Sequence, residues 1–60
     1  MKLTLPTTEA EAREQAIAWQ HYAGKHALYY SELADATAHF EQVADLFPAL
    51  RDEFKENGII

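Results

Sequence analysis

A chain of 60 residues makes one domain at most, and at that size only about 60% of the unfolded surface is buried, so stability is marginal without a disulfide, a metal or a partner subunit. No cysteine is present, which excludes disulfides and thiolate zinc sites and leaves oligomerisation as the way to add buried surface. A hydrophobic content of 48% with seven aromatic residues is too apolar for a disordered tail, and a net charge of −5 argues against ordinary contact with nucleic-acid phosphate.

Residues 1–6, Met-Lys-Leu-Thr-Leu-Pro, alternate apolar and polar like a strand. No second strand is evident to pair with them. They form either a frayed terminus, the default, or an arm docked on the helices or on a neighbouring chain. Met1-Lys2-Leu3-Thr4 lacks the apolar core of a signal peptide. The apolar runs are short, Ala27-Leu28-Tyr29-Tyr30 among them, and fall far below the ~20 residues of a membrane span. The expected location is the cytoplasm.

The first helix is predicted from about residue 8 to 27. Thr8 and Glu11 have capping-box spacing, with Pro6 just outside. Glu9 and Arg13 are an i,i+4 pair in the favourable order. One apolar stripe is Ala12, Ala16, Trp19, Ala23 and His26, flanked by Tyr22. A thinner stripe of Ala10, Ile17, Gly24 and Leu28 lies on the opposite side. A helix apolar on two sides is usually contacted on two sides. Small residues dominate both stripes, which permits close approach.

Ser31 is the predicted N-cap of a second helix over about 31–47. Its stripe is Leu33, Ala36, Phe40, Val43 and Phe47, spaced 3, 4, 3, 4 and widened by Thr37 and Ala44. The short turn makes the two helices an antiparallel hairpin. Pro48 then interrupts, although Leu50 and Phe54 continue in phase. An interior proline costs ~3 kcal/mol, which favours a break and a short third helix over about 49–56 rather than one kinked helix. Asn57-Gly58 is a stop signal, after which Ile59 is placed to fold back.

The expected fold is therefore all-α: an antiparallel helical hairpin with a short third C-terminal segment, completed by dimerisation. The expected core is Ala16, Trp19, Ala23, Leu33, Phe40, Val43, Phe47, Leu50 and Phe54. The expected assembly is a symmetric homodimer forming a four-helix bundle, with the second stripe around Ile17 and Leu28 as its interface.

Chemistry-bearing clusters are sparse. His21 and His26 are five apart and share no helix face, whereas helical metal pairs need three or four. The expected arrangement is His26 partly buried among aromatics, with His21 and His39 solvated. Ser31 is explained as a cap, and the two glycines stand alone, so no phosphate loop exists. No catalytic, cofactor-binding or metal-binding residue is assigned, and no enzyme is expected.

Candidate binding residues remain. Tyr29 and Tyr30 sit in or beside the turn, where full burial of both is unfavourable, and exposed tyrosines recur at binding hot spots. With Ile17 and Leu28 they are the possible partner-binding set. The second helix carries Glu32, Asp35, Glu41 and Asp45 with no Lys or Arg. This acidic surface either maintains solubility or meets a basic partner.

The run Glu14-Gln15-Ala16-Ile17-Ala18-Trp19-Gln20, the middle Ser31-Glu32-Leu33-Ala34, and the tail from Asp52 to Ile60 carry a resemblance. Together they resemble small uncharacterised proteins of Gram-positive phages, prophages and mobile elements. The likeness covers most of the chain from about residue 10. It implies a bacterial or phage cytosolic setting and an accessory role, with no site residues to transfer. Three functions follow for comparison: a protein-binding accessory or regulator, an acidic nucleic-acid mimic that inhibits a host DNA- or RNA-binding protein, and a helix-turn-helix DNA binder. The acidic charge disfavours the last.

Overall fold

A computed structural model describes residues 2–60. Met1, the first residue of the expected arm, lies outside the described residues. Helix α1 spans Glu9–Lys25, α2 spans Tyr30–Leu46, a 3₁₀ turn spans Pro48–Leu50, and α3 spans Arg51–Glu56. Among the described residues there is no strand. The all-α hairpin with a short third helix is the architecture that the hydrophobic periodicity predicts.

The start of α1 follows its sequence signal with one shift. Thr8 is the N-cap, and its Oγ1 accepts a hydrogen bond from the Glu11 N–H at 3.1 Å. The Glu11 carboxylate turns chiefly to Thr7 rather than to Thr8. It accepts from the Thr7 N–H at 2.9 Å and the Thr7 hydroxyl at 2.7 Å. These bonds to the charged form, the backbone N–H of Thr7 foremost, lower the Glu11 pKa. At the other end, His26 turns extended, which stops α1 at Lys25 and leads the chain into the connection of residues 26–29. Leu28 in that connection is half-buried against the core.

Ser31 is not the cap of α2. The helix begins one residue earlier, at Tyr30, with Tyr29 in the cap position and no side-chain cap bond. The Tyr29 carbonyl accepts from both Glu32 N–H (3.0 Å) and Leu33 N–H (3.1 Å). A side-chain cap is worth ~1 kcal/mol, and α2 begins without one. Pro48 breaks the helix rather than kinking it. Phe47 leaves helical geometry at φ −128°, ψ 77°, and Pro48 opens the 3₁₀ turn, where its missing N–H costs nothing.

Helix α3 closes on a Schellman motif. Gly58 takes φ +74°, its N–H bonds the Lys55 carbonyl at 3.2 Å, and the Ile59 N–H bonds the Phe54 carbonyl at 2.8 Å. Ile59 is thereby folded onto the core beside Phe54. Two side-chain links fix α3 against α1: Arg13 Nε to the Glu53 carboxylate at 3.2 Å, and Gln20 Nε2 to the Asn57 carbonyl at 2.8 Å. The links 13–53 and 20–57 show that α3 runs in the same direction as α1 and ends level with Gln20.

That end point corrects the expected core. The buried apolar set is Ala12, Ala16, Trp19, Ala36, Phe40, Val43, Ala44, Leu50, Phe54 and Ile59. Phe40 and Phe54 meet edge to face, with ring centroids 5.6 Å apart at 80°. Leu33, expected inside, is 41% exposed, and Ala23 and Phe47 are only half-buried. Leu33 and Ala23 lie toward the turn between α1 and α2, beyond the reach of α3. Alanines at 12, 16, 36 and 44 take inner positions instead, where small side chains allow the helices to close together.

The N-terminal arm is docked. Leu3 packs against the core, and the Thr4 carbonyl accepts from Gln15 Nε2 at 2.7 Å. Gln15 Oε1 in turn lies 2.7 Å from His39 Nε2. Because the Gln15 amide donates to Thr4, its oxygen faces His39, so the neutral imidazole carries its proton on Nε2. The chain 4–15–39 ties arm, α1 and α2 together.

Candidate protein-binding surfaces

The residues expected to bind a partner do not form one patch. Ile17 is 65% exposed on the outer side of α1. It lines a groove of about 340 Å³ between α1 and α3, together with Arg13, Gln20, Glu53, Phe54 and Ile59. Leu28 does not continue the stripe of Ile17, because α1 has ended and the extended connection turns Leu28 inward. Tyr29 and Tyr30 stand at the hairpin end, 76% and 92% exposed. With Leu33 they place three large apolar side chains in water within five residues. Here the chain has left α3 behind, so the exposure follows from the fold.

The acidic side chains of α2 are divided. At 3.6 residues per turn, Glu41 and Asp45 lie roughly 130° around the helix from Glu32 and Asp35. Asp45 is paired with Arg51. Glu32 and Asp35 instead border a second groove, of about 450 Å³, whose other lining residues are Leu3, Trp19, Tyr22 and Ala36. The Trp19 and Tyr22 rings are 5.9 Å apart, and His26 stacks on Tyr22 at 4.3 Å.

The histidines also differ from expectation. His26 is exposed beside Tyr22, whereas His39 is the partly buried one, held by Gln15 and set edge-on to Phe40 at 5.0 Å. Burial pushes the His39 pKa down. Among the described residues, no group of three or more His, Asp or Glu side chains is placed to hold a metal ion. No helix among the described residues is long and apolar enough to cross a membrane.

The groove beside Glu32 and Asp35 escaped the sequence reading. Its signal was present as two i,i+3 pairs, Trp19/Tyr22 and Glu32/Asp35, on helices already expected to be antiparallel. Only the register between those helices brings the pairs together.

No protein-family model matches the chain, and no match was found among curated proteins or solved structures.

Proposed function

We propose that this chain is a small non-enzymatic protein-binding module that engages its partner through the end of the hairpin where α1 meets α2. The observation that carries this reading is the exposure of Tyr29, Tyr30 and Leu33 together at an end that α3 does not cover. Tyrosine offers a large, rigid contact area at low conformational cost, and it is enriched among residues that dominate binding energy. The helices beneath supply a fixed platform, so little ordering is required on binding. The setting we propose is the cytosol of a bacterium carrying a phage or mobile element, which the resemblance of the short motifs supports. The division of the α2 carboxylates over two faces gives no single charged row of the kind a nucleic-acid mimic presents.

The test is affinity capture from a bacterial host lysate with the intact chain and with a Tyr29→Ser/Tyr30→Ser variant of unchanged helicity. The captured partner should be lost from the variant. Equal capture by both chains contradicts the proposal.

A further inference from the structure

The groove between the arm, α1 and α2 is chemically distinct from the hairpin end. Its volume of about 450 Å³ falls within the range of small-ligand sites, roughly 300–1,000 Å³. Half-exposed Tyr22, with the edge that the largely buried Trp19 leaves open, supplies aromatic surface on the α1 side, and Glu32 and Asp35 supply two carboxylates on the α2 side. The docked arm adds Leu3 as a third wall.

No ion pair among the described residues engages these two carboxylates; the pairs join Glu9, Glu53 and Asp45 with Arg13 and Arg51. Helix α2 carries no Lys or Arg of its own. Two carboxylates one turn apart, facing aromatic rings, match a cation that can accept both kinds of contact. Guanidinium does so: its planar fork donates to carboxylates while its face stacks on aromatic rings. A bare metal ion is a poorer fit, because among the described residues no third His, Asp or Glu joins the two carboxylates. The net charge of −5 would also steer a basic segment toward this surface.

We propose that this groove receives an arginine side chain from a basic segment of a partner protein, between Trp19 and Tyr22 on one side and Glu32 and Asp35 on the other. The proposal rests on reading the chain as a protein-binding module, and it adds the chemistry of the partner.

Trp19 is the only tryptophan, so its emission reports on the groove directly. The intact chain is titrated at near-physiological salt with the capped peptide Gly-Arg-Gly-Arg-Gly, with its lysine counterpart, and with its uncharged citrulline counterpart. A saturable change in Trp19 emission is expected with the arginine peptide, a weaker one with lysine, and none with citrulline. Glu32→Gln/Asp35→Asn should weaken arginine-peptide binding about tenfold or more. Glu41→Gln/Asp45→Asn removes the same charge from the other face and should leave binding nearly unaltered. Absence of a saturable change, lysine binding as tight as arginine, or equal weakening by both double variants overturns the proposal. Tyr29→Ser/Tyr30→Ser should not affect this titration, so failure of the groove and failure of the hairpin end are separable.

Discussion

His39 sits where α2 faces α1, donating from Nε2 to Gln15, and burial lowers its pKa from the ordinary imidazole value. A histidine whose folded pKa is depressed adds stability above its unfolded pKa, about 6.5. That contribution is lost as pH falls through the lower folded value. The melting temperature should therefore drop as the pH falls from 7 through the imidazole range, before most carboxylates titrate. His39→Gln retains a donor for Gln15 and lacks the titration, so its drop over the same interval should be smaller. An identical drop in both chains would remove His39 from the account. Nothing in the spacing of His39 distinguished it from His21 and His26. Its environment depends on the rotation of α2 about its own axis, which a stripe locates only to within a residue or so.

At the scale of elements, the two glycines provide opposite tests. Gly24 lies within α1 with open space where a Cβ would stand, and Gly58 holds φ +74° in the cap of α3. Gly24→Ala should raise stability by up to ~1 kcal/mol through helix propensity. Gly58→Ala should lower it by about 1 kcal/mol, because an L side chain is strained in the left-handed region. In a domain this small, thermal melts would show each as a shift of roughly 4–8 °C, in opposite directions. A Gly58→Ala chain as stable as the parent, or more so, would contradict the assignment of the α3 terminus. These local features were readable because each is written in neighbouring residues: Thr8 with Glu11, Phe47 with Pro48, and Asn57 with Gly58. Ser31 misled for the converse reason. A good capping residue marks where a helix can begin, whereas here Tyr29 holds the cap position and α2 starts at Tyr30.

For the whole molecule, the hairpin was legible from the 3.6-residue period, whereas the inner membership was not. Leu33 lies on the stripe of Phe40 and Val43, which on periodicity alone places it in the core. It is exposed because α3 ends level with Gln20, a fact fixed by the lateral bonds of Arg13 and Gln20 rather than by any periodicity. The same long-range geometry docks the arm and creates the groove at Trp19. The exposed Ile17 beside the α1–α3 groove keeps self-association as a proposal. Light scattering at micromolar concentration should give about twice the 6.8 kDa chain mass, and Ile17→Lys should return it to the monomer. A clean monomer with a cooperative melt would refute the dimer while leaving the hairpin intact.

The central claim is that the uncovered end of the hairpin is the working surface. Site-specific photo-crosslinking in a bacterial host tests it most directly, with a photoreactive phenylalanine analogue placed in turn at Tyr30 and at Glu41. The account predicts a discrete adduct with a second protein from position 30 and none from position 41. Adducts of equal yield from both positions, or an adduct from position 41 alone, would contradict it.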